Sequence, residues 1–95
     1  MEEKAKELAQ LLKVLANENR LLLLCRLMQG PHTVGGLCER IPNITQSALS
    51  QHLALLKAHG ILDFSKTGQK VTYRIADHRV EQVMAVLKEH YCCED

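Results

Sequence analysis

A chain of 95 residues, 46% hydrophobic and 24% charged, has the size and composition of one folded domain, residues 1–95, and is too apolar for a disordered segment. No apolar run nears the ~18 residues of a membrane span, and the charged start MEEKAKELAQ is no secretory signal, so no membrane contact is expected and the compartment is expected to be a reducing cytoplasm. The formal charge of +1 is divided: residues 45–75 carry Lys57, Lys66, Lys70 and Arg74 against Asp63, a net +3, and residues 77–95 carry Arg79 and Lys88 against five acids, a net −3, which directs any polyanion to the middle of the chain.

Residues 2–15 place Leu8, Leu11, Leu12 and Leu15 at helical spacing and predict a first helix. Asn17 can cap a second, NRLLLLCRLM, with Leu21, Leu24, Cys25 and Met28 as its apolar stripe and Gly30-Pro31 as its stop. Thr33 can cap a short third helix, VGGLCERI, weakened by two glycines at roughly 1 kcal/mol each. Pro42-Asn43 breaks the chain, and Thr45 caps a fourth helix, QSALSQHLALLKAH, which ends at Gly60. In ILDFSKTGQKVTYRIA, Val71, Tyr73 and Ile75 alternate and Thr67-Gly68-Gln69 can turn, which predicts a two-stranded hairpin. Asp77 caps a last helix with Val80, Val83, Met84, Leu87 and Tyr91 on one face. The order α-α-α-α-β-β-α is that of a winged helix-turn-helix, mainly α with a β-hairpin wing.

The fourth helix carries the functional signal. At 100° per residue Leu49, Leu53 and Leu56 turn inward, while Ser47, Ser50, Gln51, Ala54 and Ala58 share the opposite face. A face meant for water alone usually carries Lys and Glu. Small, uncharged residues let a helix backbone enter a DNA groove, where Gln pairs bidentately with adenine and Ser bonds either kind of base edge. The N-terminal residues of such a helix reach the bases, here Gln46, Ser47, Ser50 and Gln51. Lys66 and Lys70 flank the hairpin tip, where they can meet phosphates. The plainer alternative is an ordinary amphipathic helix with a bland outer face.

The segments LKVLANENRLLLLCRLM, ITQSALSQHLALLKAHGIL and GQKVTYRIAD together resemble the ArsR/SmtB family of bacterial repressors over residues 8–92, and the run Ser47-Ala48-Leu49-Ser50-Gln51-His52-Leu53 is the most specific part of the likeness. The resemblance implies a homodimer joined through the first and last helices, binding to double-stranded operator DNA, and release by an inducer. The DNA-contacting set it suggests is Thr45, Gln46, Ser47, Ser50, Gln51, His52, Lys66 and Lys70.

Four cysteines bear on what is sensed. The contexts LLCRL around Cys25 and HYC around Cys92 are similar to the sulfide- and redox-responsive branch, the BigR/HlyU-like repressors. There the resemblance implies a sulfur bridge between the two cysteines when persulfides or oxidants appear. Cys93 is turned further from the apolar stripe of its helix than Cys92, and is either a bystander or a spare thiol. Cys38 has no matching partner and reads as structural. The alternative is a metal-responsive repressor, for zinc or a similar ion: Asp77, His90 and Cys93 fall on a degenerate form of the family's last-helix metal site, in which Arg79 replaces a histidine. Asp77 as a helix cap and His90 as a solvated residue are the simpler readings. No C-x-x-C, phosphate loop, H-E-x-x-H or paired-carboxylate pocket can be assembled, so neither an enzyme nor a cofactor is expected.

Overall fold

The computed structural model describes residues 1–91. The elements are α1 (Glu2–Leu15), α2 (Glu18–Leu27), β1 (His32–Thr33), α3 (Val34–Arg40), α4 (Gln46–Ala58), β2 (Leu62–Thr67), β3 (Lys70–Ile75) and α5 (His78–Tyr91). The helices α2 to α5 begin where short polar side chains satisfy free amides. Asn17 Oδ1 accepts from the amides of Asn19 and Arg20 at 3.0 and 3.2 Å, Thr33 Oγ1 from Gly36 at 3.0 Å, and Thr45 Oγ1 from Ala48 at 3.1 Å. Asp77 Oδ1 does the same for α5, accepting from Arg79 at 2.9 Å and Val80 at 3.4 Å.

The core fixes the reading helix. Leu49, Leu53 and Leu56 of α4 are fully buried beside Leu23 and Leu24 of α2, Leu37 of α3, Ile61 and Val80. Removing any one of these leucine side chains costs about 2–5 kcal/mol. Between α3 and α4 the chain turns at Asn43, whose φ of 60° is the left-handed geometry that asparagine tolerates. Gly60, at φ 75°, ends α4. The amide of Gly60 donates to Lys57 O at 2.9 Å and that of Ile61 to Leu56 O at 3.0 Å, the paired bonds of a Schellman stop. The carbonyl of Ile61 then accepts from Ala76 at 2.8 Å, so the exit of α4 is stitched to the base of the hairpin.

Two expectations are revised. The sheet has three strands in the order β1-β3-β2, because His32 and Thr33 pair with Tyr73 and Thr72. The stripe of α2 is broader than Leu21, Leu24, Cys25 and Met28: the buried residues are Leu23, Leu24, Cys25 and Leu27, with Leu21 and Met28 only partly covered. In a run of four leucines nearly every face is apolar, and tertiary packing from α3, α5 and β3 selects which is buried deepest.

Candidate nucleic-acid interface

All of Thr45, Gln46, Ser47, Ser50 and Gln51 are exposed on α4, as are Ala54 and Ala58. The Thr45 hydroxyl is committed to its cap, whereas the side chains of Gln46, Ser47, Ser50 and Gln51 are open to solvent. His52 differs from the others: it is half-buried, and its Nδ1 lies 3.4 Å from Nη1 of Arg20 on α2.

The wing is a tight hairpin. Thr67 pairs with Lys70 across the two-residue loop Gly68-Gln69. Gly68 takes φ 63°, and positive φ at that position is a condition of the two-residue turns that match strand twist. The register sets the lysines apart. Lys66 pairs with Val71 and therefore shares a face with Phe64 and Tyr73, while Lys70 shares the other with Ser65 and Arg74. The two ammonium groups straddle the tip, a grip suited to phosphates on either side of a groove wall.

Aromatic contacts hold the wing to the reading helix. Phe64 and Tyr73, directly paired, have ring centroids 5.4 Å apart at 55°, and Lys57 Nζ from the last turn of α4 sits 5.1 Å from the Phe64 centroid. Between wing tip and helix lies an open recess of about 440 Å³ lined by Thr33, Gly35, Gln46, Ser50, Gln69 and Lys70. It brings together Gln46 and Ser50 with Lys70, which the sequence placed in separate elements, and it adds Gln69 and Gly35, which sequence reasoning missed. Positive charge at Lys70 and the uncharged Gln46 and Ser50 of α4 thus face one concave surface.

The sensor residues are placed in part. Cys25 is 4% exposed on the core side of α2. Cys92 and Cys93 lie outside the described residues. Tyr91, the residue before Cys92 in sequence, lines an apolar groove of about 320 Å³ with Glu18, Leu21 and Leu22 of α2 and Leu87 and Lys88 of α5. Cys25 follows Leu21 by one helical turn, so the end of α5 is brought against the part of α2 that leads to Cys25. Cys38 is a free, partly buried thiol packed against the core.

At the alternative metal set, Asp77 is occupied otherwise. Besides capping α5 it receives Arg79 Nη2 at 3.1 Å and Nε at 3.3 Å. The Arg79 side-chain hydrogen bonds hold its carboxyl below the usual carboxylate range, partly opposed by burial and aided by the backbone amides of Arg79 and Val80. His90 is exposed, and no group of three metal-ligating side chains is assembled among the described residues.

Residues 17–63 match the family model described as bacterial regulatory protein, arsR family. The chain is similar to the HTH-type transcriptional regulator YgaV of Escherichia coli K12, 37% identical over 97% of this chain and 93% of that one. It is similar to the transcriptional activator HlyU of Vibrio cholerae, 39% identical over 97% of this chain and 84% of that protein. The solved structure of reduced HlyU superposes with a TM-score of 0.90, covering 97% of this chain and 96% of that one. The biofilm growth-associated repressor of Agrobacterium fabrum is 37% identical over all of this chain and 80% of its own length.

Proposed function

Because this chain belongs to the arsR family of bacterial regulatory proteins and is a DNA-binding transcriptional regulator of winged-helix fold, we propose that it is a homodimeric repressor whose hold on operator DNA is switched by sulfur chemistry at Cys25 and Cys92. The observation that carries the DNA-reading part is the exposed, uncharged set Gln46, Ser47, Ser50 and Gln51 on α4, of which Gln46 and Ser50 line the same recess as Lys70. The four side chains read base edges, and Lys66 and Lys70 supply affinity that does not depend on sequence.

Dimerisation is supported by apolar residues that the protomer leaves uncovered. The stripe of α5 is split: Val80 and Met84 are buried, but Val83, Val86, Leu87 and Tyr91 are exposed. On α1, Leu8 and Leu12 are half exposed while Leu15 is buried. Exposed stripes on the first and last helices are what two copies would bury against each other.

The switch reading is supported by the buried Cys25, by the approach of α5 to α2 at Tyr91, and by the likeness to a V. cholerae regulator whose structure is described as reduced. A persulfide RSSH supplies the sulfane sulfur. The Cys25 thiolate attacks it, giving a Cys25 persulfide and RSH. Attack by Cys92 on that persulfide then yields the Cys25–Cys92 disulfide and hydrogen sulfide, with no outside oxidant. The bridge ties α2, which packs on α4's core face, to α5 at the dimer surface, and gives two states with different DNA affinity.

Selection of duplexes from a random-sequence pool, followed by footprinting, tests the assignment. An inverted repeat with half-sites about 34–36 Å apart, or a multiple, is expected. Protection of a single half-site by a protein that sediments as a monomer would overturn the dimeric reading.

A further inference from the structure

Arg20 occupies a corner where three elements meet. Its backbone amide is the second donor to the Asn17 cap that starts α2. Its Nε donates to the carbonyl of Val14 in the last turn of α1. Its Nη1 faces Nδ1 of His52 on α4 at 3.4 Å. One guanidinium thus joins the end of α1 to the middle of α4. His52 lies between Gln51, which stands on the outer face, and Leu53, which is fully buried. A constraint on the His52 ring is therefore a constraint on the rotation of α4 about its own axis.

We propose that Arg20 is a positioning residue for DNA reading: anchored on the Val14 carbonyl, its guanidinium holds His52 through Nδ1 and so fixes how the Gln46–Gln51 face of α4 is turned toward the groove. The proposal rests on the DNA-reading assignment above and adds to it a residue outside the interface. Arginine has donors only, so the bond requires Nδ1 to accept, which means a neutral ring with its proton on Nε2. Protonation of Nδ1 places two cations 3.4 Å apart and removes the acceptor. Burial, and then the field of Arg20, hold His52 below its ordinary value of 6.5. The Arg20 guanidinium faces His52 from α2, and Lys57 on α4 itself is directed over the Phe64 ring. The grip is accordingly complete above about pH 6.5 and is lost as the medium is acidified through the lowered value. Arg20 also lies on the same rigid helix as Cys25, so a displacement of α2 at the thiol reaches α4 through this contact.

The tests separate the grip from its use. Nitrogen-15 shifts of the His52 ring in the free protein are expected to show the Nε2–H tautomer, with Arg20→Gln moving its titration upward toward the ordinary value. An Nδ1–H tautomer, or an unmoved titration, overturns the proposal without DNA being present. Amide exchange in α4 is expected to quicken in Arg20→Gln while that of α3 and the wing stays unchanged; quickening of all three would make Arg20 a general structural residue and overturn it. With a duplex selected by the wild type from a random pool, preference over random-sequence duplex should fall about tenfold as the pH is lowered from about 7.5 through the His52 titration measured by the ring shifts, the worth of one hydrogen bond to a charged group. His52→Gln, which keeps a neutral acceptor and cannot be protonated, should lose the pH dependence; Arg20→Gln should start about tenfold lower and stay flat. The wild-type profile persisting in His52→Gln, or full preference in Arg20→Gln, overturns the proposal. A wild type that selects no duplex fails the DNA-reading assignment itself, while the ring and exchange measurements still decide the grip.

Discussion

Gln51 and Lys70 face one duplex in the proposed complex, yet their removal should differ in kind. Gln51→Ala deletes a base-edge partner from the exposed face of α4 and should cut the preference for operator over random DNA by about 1–3 kcal/mol, leaving random binding nearly intact. Lys70→Ala deletes a phosphate partner at the wing tip, so it should weaken both duplexes and flatten the salt slope by about one phosphate equivalent. Binding isotherms on both DNAs over a salt series decide between them; equal loss on both for Gln51→Ala contradicts its assignment. Asp77 belongs to stability instead. Its carboxyl is held low chiefly by the Arg79 side chain, so the stabilisation is present in full above its ordinary value of 3.8 and is lost as pH falls through the lowered folded value. Asp77→Ala should cost about 1 kcal/mol at neutral pH through the lost cap, and the gap between the two melting curves should begin to narrow below about pH 4.

Among elements, α3 is the weakest by sequence, and its two glycines are not equivalent. A Cβ added at Gly35 meets nothing within 4 Å, whereas one at Gly36 comes 3.2 Å from the capping Thr33 Oγ1. Gly35→Ala should therefore raise stability by about 0.5–1 kcal/mol in thermal melts, and Gly36→Ala should gain less or lose. Because Gly35 lines the recess shared with Gln46 and Lys70, the same variant tests whether DNA approaches α3 closely: tighter folding with weaker DNA binding is the expected pairing. The helices, their caps and the wing were legible in the sequence because each is set by local chemistry: Asn17, Thr33, Thr45 and Asp77 as caps, Gly60 as a stop, and alternation in Val71-Thr72-Tyr73-Arg74-Ile75. The strand β1 was not, since two residues carry no period and owe their conformation to β3. The outer face of α4 was legible for the same reason as its core face, but the inward turn of His52 was not: the partner that draws it in lies 32 positions earlier, and a helical wheel holds no tertiary information.

At the scale of the whole molecule, the exposed stripes of α1 and α5 and the cysteine pair make two linked predictions. Val86→Asp places a charge on the exposed part of α5 without touching the core, so the protomer should stay folded while sedimentation shows dissociation at concentrations where wild type is dimeric. The cysteine prediction concerns switching. Linking residues 25 and 92 closes a loop of about 68 residues, which in the chain-entropy model restricts the unfolded chain by about 4 kcal/mol, so persulfide-treated protein should melt higher unless the bridge strains the fold. The same bridge binds α2 to the end of α5, and linked protein should release a selected operator duplex that the reduced protein holds. Cys25→Ser should abolish this response and leave DNA binding intact, because Cys25 faces the core and lies outside the α4 face and the wing. Cys92→Ser should do the same and Cys93→Ser should not; the reverse result assigns the second thiol to Cys93. Peptide mass spectrometry of treated protein should find the link between the peptides containing Cys25 and Cys92, with Cys38 unlinked. If Cys25→Ser still lets go of DNA on persulfide treatment, or zinc alone releases the wild type, the thiol switch is wrong and the metal-responsive reading takes its place.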